Sequence, residues 1–188
     1  MKPLTPTTPH VIIMVGIPGA GKTHFADHFA KMFHAPFINQ YELQTITGAS
    51  DAQATELSAK LLTEFLKTGR TVIYEGPTHA RTFRQALVSK IKKAGYDPLI
   101  VWVQTESVEA KNRYFKSNKN ASPEYFQKAL QRFSRPIESE KSIVISGRHT
   151  YGTQVKAVLK RLADTRDVTP PQAPERPQRS TGRSIKIR

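Results

Sequence analysis

The stretch that most constrains the fold of this chain is residues 11–24, VIIMVGIPGAGKTH. An apolar run leads into a glycine-rich turn that ends in Lys22 and Thr23, and the pattern G-x-x-x-x-G-K-[ST] covers residues 16–23. Glycines in such a turn let the backbone direct its N–H groups toward a bound phosphate. In the segment that follows, KTHFADHFAKMF, phenylalanines recur at helical spacing. The stretch therefore predicts a buried strand, a phosphate-binding loop and a helix.

The loop also predicts how a nucleotide binds. The amides of the loop and of the first helical turn are expected to cradle the β-phosphate. We expect Lys22 to reach the β- and γ-phosphates and the Thr23 hydroxyl to bind Mg²⁺. The predicted nucleotide-binding residues are Gly16, Pro18, Gly19, Ala20, Gly21, Lys22, Thr23 and His24.

The sequence gives weaker evidence for the nucleobase, adenine or guanine, than for the phosphates. A GTPase usually carries Asn-Lys-x-Asp at the end of a strand, and no predicted strand is followed by that element. The segment SNKNAS lies in a helical stretch and lacks the aspartate. We therefore predict ATP. In ISGRHTYGT, after the last predicted strand, Arg148, His149 and Thr150 are candidates for adenine contacts, and the alternative interpretation is a polar surface loop.

Apolar and helical segments alternate along the chain. The predicted strands are HVIIMVG, APFIN, RTVIYEG, DPLIVWVQT and KSIVISG, and amphipathic segments lie between them. This alternation predicts an α/β fold with a mostly parallel five-stranded sheet and helices on both faces.

Two glutamates are candidates for the acid that such a site needs. Glu75 ends the strand TVIYEG, where open α/β sheets bind their ligands. It is predicted to hold Mg²⁺, through water, or to take a proton from the acceptor. Glu42, just after the second strand, is the other candidate catalytic residue, although a glutamate there also favours a helix start.

Basic residues that would neutralise a transferring phosphoryl group follow the fourth strand. The segment of about residues 107–136 carries lysines on a helix and a polar loop, Lys111, Lys116 and Lys119, and is predicted to form a lid that excludes water. Arg113 is the candidate for stabilising the transferring charge. Arg81 and Arg84, after Glu75, are expected either to clamp an anionic substrate or to be surface charges.

The composition limits the remaining classes of protein. The chain has 188 residues and no cysteine, which excludes disulfides and thiolate metal sites, and its apolar runs are shorter than the about 20 residues that span a bilayer. We expect one cytoplasmic domain over residues 10–165, between a flexible leader at 1–9 and a disordered basic, proline-rich tail at 166–188. The formal net charge of +14 makes nucleic acid a candidate partner. We expect a monomer without membrane contact.

Three segments together resemble the polynucleotide-kinase-like branch of the P-loop kinases, which is also labelled AAA-type ATP-binding or zeta-toxin-like. GIPGAGKT is similar to that group's G-x-P-G-[SA]-G-K-[ST], and VIYEGPTHARTFR is similar to its VIYDATN strand with the following arginine-rich helix. The segment from residue 109 to 136 is similar to its arginine lid. The resemblance covers roughly residues 10–163 and implies a P-loop NTPase three-layer sandwich with a helical lid that uses ATP and Mg²⁺.

The acceptor half departs from this group's pattern. After the second strand the group usually shows Ser-x-Asp-x-x-Arg, in which the Asp acts as base and the Arg grips a substrate phosphate. This chain reads NQYELQ, so Tyr41 and Gln44 occupy those places and Glu42 lies beside the first. Tyr41 is therefore a candidate substrate-binding residue, and Glu42 a candidate base with a shifted register.

These features predict an ATP- and Mg²⁺-dependent phosphotransferase that acts on a hydroxyl of a small molecule, a nucleotide or a polynucleotide end. The alternatives are an ATP-binding regulatory or nucleic-acid-associated module, and a slow ATPase without an acceptor.

Overall fold

The computed structural model describes residues 8–118 and 121–164. Strands and helices alternate from one end to the other. Their bounds are β1 His10–Val15, α1 Lys22–Phe33, β2 Phe37–Asn39, α2 Gln40–Thr47, α3 Asp51–Leu66, β3 Val72–Glu75, α4 Arg81–Lys93, β4 Asp97–Gln104, α5 Ser107–Ser117, α6 Pro123–Arg132, β5 Ile143–Ser146 and α7 Tyr151–Asp164. The predicted tail and Lys119 lie outside the described residues, as does most of the predicted leader.

The five strands form one parallel sheet in the order β2-β3-β1-β4-β5. The predicted α/β architecture is confirmed. Because β1 lies at the centre, the loop that follows it opens between the carboxyl ends of β3 and β4, where the strand order reverses. Ligands of open α/β sheets bind at this kind of crevice.

Apolar residues of β1 face both sides of the sheet. Ile12 and Met14 belong to the core that packs under α1 and α7, while Val11, Ile13 and Val15 belong to the core under α3 and α4. All of β1 is buried, which explains its continuous apolar sequence. The result is a three-layer sandwich whose central strand is held rigidly, so the loop after it has a fixed base.

Side-chain caps fix the starts of the two helices that follow β2. Asn39 accepts hydrogen bonds from the backbone of Tyr41 and Glu42, and it thereby turns the chain sharply from β2 into α2. Ser50 forms a capping box with Gln53 at the start of α3. Pro123 lies in the first turn of α6, where a missing backbone N–H costs no helical hydrogen bond.

Within the described parts of the chain, every helix is either too short or too polar to cross a bilayer.

Candidate active site

The loop after β1 has the backbone that a phosphate requires. Gly19 and Gly21 have φ angles of 76° and 101°, in the left-handed region that glycine favours. A Cβ atom at Gly19 would also overlap the carbonyl oxygen of Ala110 in α5. Position 19 therefore requires glycine for two reasons: its left-handed backbone conformation and the close approach of α5 to the loop.

The start of α1 is left open for an anion. Gly21 is the N-cap, and no side chain caps the helix. The first four N–H groups of a helix have no partner within it, and they carry the positive end of the helix dipole. The first turn, which includes Lys22 and Thr23, therefore fits the phosphates of a nucleotide.

Lys22 lies between the loop and the end of β3. Its Nζ donates a hydrogen bond to the Ile17 carbonyl at 3.1 Å and lies 3.8 Å from Glu75 Oε1. The side chains of Lys22 and Glu75 are only 11% and 2% exposed. Burial lowers the pKa of Lys22, and the charge and hydrogen bond of Glu75 oppose that shift. Two oppositely charged predicted residues are thus brought together in a site with little water.

The second oxygen of Glu75, Oε2, is buried and has no hydrogen-bond partner within the described residues. A buried carboxylate oxygen without a partner costs free energy unless a ligand satisfies it. A hydrated Mg²⁺ ion or an acceptor hydroxyl would do so. This orphaned oxygen fits both roles predicted for Glu75.

Thr23 is exposed in the first turn of α1, and its hydroxyl is available to a cation. No cluster of three or more His, Asp or Glu side chains suited to a metal occurs within residues 8–118 and 121–164. Mg²⁺ commonly keeps several waters and binds through a few protein oxygens and substrate phosphates. Thr23 and Glu75 match that sparse set of ligands.

A network of charged side chains joins α5 to the loop after β5. Arg113 donates to the Gly147 carbonyl at 2.8 Å and pairs with Glu109, whose other oxygen accepts from Arg148 at 2.5 Å. The hydrogen bond from Arg148, helped by the charges of both arginines, holds the pKa of Glu109 below its usual value. Sequence reasoning missed Glu109, although its i, i+4 spacing from Arg113 was a visible signal.

The predicted role of Arg113 at the γ-phosphate requires a change of partner. In the structure its guanidinium faces Gly147 and Glu109, beside the loop of residues 147–150. That loop packs closely against the phosphate loop. A Cβ atom added at Gly147 would overlap the Ala20 carbonyl oxygen. Arg113 and Arg148 therefore lie together on the β4–β5 side of the crevice.

The remaining residues predicted to bind the nucleotide lie in the phosphate loop, at the start of α1 and in the loop after β5. His149 and Thr150 are exposed in the loop after β5. His24 is exposed on α1, and its ring centroid lies 4.3 Å from that of His28. Pro18 is partly buried in the phosphate loop.

Tyr41 lies on the β3 side of the crevice, next to Glu75. Its hydroxyl makes a long hydrogen bond of 3.4 Å to the carbonyl of Gly76. Gln44, one helical turn later on the same face, donates to Asp51 at 2.9 Å. Glu42 is exposed and directly follows Tyr41. Consecutive side chains of a helix are rotated by about 100° around its axis, so Glu42 lies on a different face of α2 from Tyr41. Glu75, in contrast, is buried beside Lys22.

Tyrosines from α5 and α6 complete this side. The rings of Tyr114 and Tyr125 stack at 6.3 Å and 20°. Tyr125 and Tyr41 are 49% and 42% exposed, and they are close enough to interact electrostatically. Burial is the main cause that raises the pKa of Tyr41, and Tyr125, Glu75, Tyr74 and Asp51 add to it. Sequence reasoning missed Tyr125, because its neighbours are distant in the chain.

The expectation for Arg84 is wrong. Its side chain is fully buried and binds Glu140 through Nε at 2.7 Å and Nη2 at 2.9 Å. Its Nη1 donates to the carbonyls of Thr78, His79 and Ser134. A guanidinium without exposed surface and with these partners has no face left for a substrate. Arg84 instead joins the loop after β3 to the segment after α6.

Arg81, one turn earlier, is exposed at the start of α4, and its backbone N–H donates to Ser134 Oγ at 2.9 Å. Its side chain is exposed, and its charge acts on Glu140 together with that of Arg84.

Comparisons with known proteins agree with this geometry. A family model described as an AAA domain matches residues 11–136. No curated protein matches the sequence. Among solved structures, a gluconokinase from Sinorhizobium meliloti 1021 has a TM-score of 0.64 at 17% identity, over 84% of this chain and 93% of that chain. Kti12 from Chaetomium thermophilum, in complex with ADP-AlF3, has a TM-score of 0.66 at 15% identity, over 82% and 97%.

A sugar kinase from Janibacter sp. HTCC2649 is similar at a TM-score of 0.61 and 19% identity, over 85% of this chain and 96% of that one. At such identities the likeness shows a shared fold, and the family match covers most of the chain, including the phosphate loop, Glu75 and α5. The chain belongs to the AAA domain family.

Proposed function

We propose that this protein is an ATP- and Mg²⁺-dependent phosphotransferase that moves the γ-phosphate to a hydroxyl group. The observation that carries the proposal is the pair formed by Lys22 and Glu75. A buried lysine at the phosphate loop lies 3.8 Å from a buried carboxylate, and that carboxylate keeps one oxygen without a partner. This arrangement provides a cation for the phosphates and, beside it, a free carboxylate oxygen for the reaction.

The residues of the crevice would have different roles in the reaction. The loop amides and Lys22 bind the β- and γ-phosphates and spread the negative charge that develops during transfer. Thr23 would hold Mg²⁺, which supplies further neutralisation of the phosphate oxygens. Arg113 and Arg148, on the opposite side from Glu75, would contact the nucleotide while Glu109 keeps the two guanidinium groups side by side. Arg113 would give up its hydrogen bond to the Gly147 carbonyl.

Glu75 has two roles that its position supports equally. Its free oxygen would hold a water of the Mg²⁺ shell, or it would accept the proton of the acceptor hydroxyl as the oxygen attacks the γ-phosphorus. In the second role the proton goes to Glu75, the new P–O bond forms to the acceptor, and ADP leaves with the electron pair of the broken bond.

The test is transfer of labelled γ-phosphate from Mg·ATP to a 5′-hydroxyl oligonucleotide and to a pooled metabolite extract. We expect labelled product from one of them. Lys22→Ala should reduce its rate by about 100-fold or more, which is typical for loss of a group that stabilises transition-state charge. Lys31→Ala is the matched control, because Lys31 lies on the same helix in an exposed pair with Asp27. It should retain full activity.

A second candidate is an ATP-binding module that lacks an acceptor. Tyr41 and Gln44, in place of a carboxylate and a cation, favour it. Tight binding of ATP without label on any acceptor would overturn the phosphotransferase in favour of this module. Slow release of phosphate, unaffected by acceptors, would identify an ATPase.

A further inference from the structure

Thr78 follows Glu75 in the loop that joins β3 to α4, and it is only 4% exposed. All three of its polar groups have partners. The hydroxyl donates to the Met14 carbonyl of β1 at 2.7 Å, and the backbone N–H donates to the Gly76 carbonyl at 2.8 Å. The Thr78 carbonyl accepts from Arg84 Nη1 at 3.0 Å. One buried residue thus joins β1, the turn after Glu75 and α4.

The hydrogen bond to β1 lies at the base of the phosphate loop. The paired register of β1 and β3 ends at Ile13 and Tyr74. Met14 is the next residue of β1, and the phosphate loop begins shortly after it, at Gly16. The Thr78 hydroxyl therefore extends the connection between the two strands toward the start of the phosphate loop.

The turn between Glu75 and Thr78 has little freedom. The Thr78 N–H bonds to the carbonyl of the second residue before it, which closes a tight turn around Pro77. The pyrrolidine ring fixes the φ angle of Pro77. A Cβ atom added at Gly76 would overlap the ring of Tyr74. A shift of Thr78 would therefore be transmitted to the peptide bond that follows Glu75.

The carboxylate of Glu75 depends on this backbone for its direction. Its Oε1 lies 3.8 Å from Lys22 Nζ, and its Oε2 has no hydrogen-bond partner within the described residues. Glu75 is also the last residue of β3, where it is paired with Asn39 of β2. Strand pairing therefore holds the Glu75 backbone on one side, and the turn that Thr78 closes holds it on the other.

We propose that Thr78 is a positioning residue for Glu75. Its hydroxyl ties the turn after β3 to β1, and Arg84 holds its carbonyl from α4, so that the Glu75 carboxylate keeps its place beside Lys22. This inference rests on the proposed function, since it concerns the same carboxylate and its reaction. Displacing a reacting group by about 1 Å can lower a rate by about 100-fold.

Thr78→Val tests the hydroxyl, because valine has nearly the same shape without the donor. Crystal structures of the full chain with Mg²⁺ and a non-hydrolysable ATP analogue would show the position of Glu75 directly. We expect the Glu75 carboxylate to move by about 1 Å in Thr78→Val and to stay in place in Thr78→Ser, which keeps the hydroxyl. Thr78→Ala removes the same hydroxyl from a smaller side chain, and it has the same expected result if the valine variant does not fold.

Thr71→Val is the matched control. Thr71 is as buried as Thr78, at 4%, and its hydroxyl accepts a hydrogen bond from the His10 backbone N–H at 3.2 Å. It joins the beginnings of β3 and β1, at the opposite end of these strands from the crevice. A loss of stability alone would affect both valine variants alike, whereas Glu75 should be displaced in Thr78→Val only.

The rate of phosphate transfer gives a second readout. We expect Thr78→Val to lower kcat by about tenfold to 100-fold and to leave the KM for ATP nearly unchanged, because the phosphate loop and Lys22 are intact. Thr78→Ser should retain the kcat of the unmodified protein. In a Glu75→Gln background, Thr78→Val should have little further effect, since the effects of residues that act through one another are not additive.

An unmoved Glu75 in Thr78→Val, or equal losses of kcat in Thr71→Val and Thr78→Val, would overturn the inference. A full effect of Thr78→Val in the Glu75→Gln background would also overturn it. A displaced Glu75 in Thr78→Val, in a protein that transfers phosphate to no acceptor, would support the inference and contradict the proposed function alone.

Discussion

The two sides of the crevice take their chemistry from the chain in different ways. On the nucleotide side, one continuous stretch, residues 16–23, supplies the phosphate loop, and its glycines are required by backbone geometry. On the acceptor side, the groups around Glu75 come from the consecutive helices α2 and α3 and from α6, which lies much farther along the chain. A motif can encode the first side, whereas the fold alone assembles the second. Changes on the acceptor side can therefore leave the phosphate loop intact.

The largest expected effect is on the free energy of unfolding. It concerns Arg84, which holds the loop after β3 beneath the acceptor side. Arg84→Met would leave Glu140 without its partner, and breaking a buried ion pair costs about 3–5 kcal/mol. Urea unfolding should show this loss in the free energy of unfolding. Arg81→Met, one turn earlier and exposed, should change it by less than about 0.5 kcal/mol. Similar values for the two variants would show that the Arg84 network does not support this side.

Acid should weaken the same network. Burial alone would raise the pKa of Glu140, but hydrogen bonds from Arg84 and the Ile137 backbone, with the charges of Arg84 and Arg81, hold that pKa below its ordinary 4.5. A depressed carboxyl pKa in the folded state stabilises the protein above the unfolded value, and this contribution is lost as the pH falls through the folded value. Stability should therefore fall more steeply below pH 4.5 in the unmodified protein than in Arg84→Met.

The next effect concerns the nucleotide side. Gly19→Ala would combine left-handed strain with an overlap on the Ala110 carbonyl, and we expect a loss of about 2–4 kcal/mol together with loss of ATP binding. Gly48→Ala is the matched control, since Gly48 has a φ of 65° but open space around its Cβ position. It should cost only about 1–2 kcal/mol. Equal losses would mean that α5 does not pack against the loop as closely as the structure shows.

The difference between the two sides also explains what the sequence could predict. The five strands, the phosphate loop, the start of α3 at Ser50 and the place of Glu75 all follow from local patterns. The burial of Arg84 does not, because its partner Glu140 lies 56 residues away. The electrostatic influence of Tyr125 on Tyr41 is equally hidden, since nothing near Tyr125 in the chain indicates it. Long-range pairing of side chains, and not secondary structure, sets the limit of prediction here.

The smallest effect is expected at Glu109, which holds Arg113 and Arg148 together beside the phosphate loop. Without this carboxylate the two guanidinium groups repel each other, and the nucleotide must order them itself. We expect Glu109→Gln to raise the Kd for ATP about threefold, in the range of partly exposed ion pairs. The increase should shrink at high salt, because exposed charges are then screened. Glu106→Gln is the control, since Glu106 is 73% exposed and 3.4 Å from Arg148, and it should change little. Tighter binding of ATP by Glu109→Gln would show instead that Glu109 competes with the nucleotide for the two arginines.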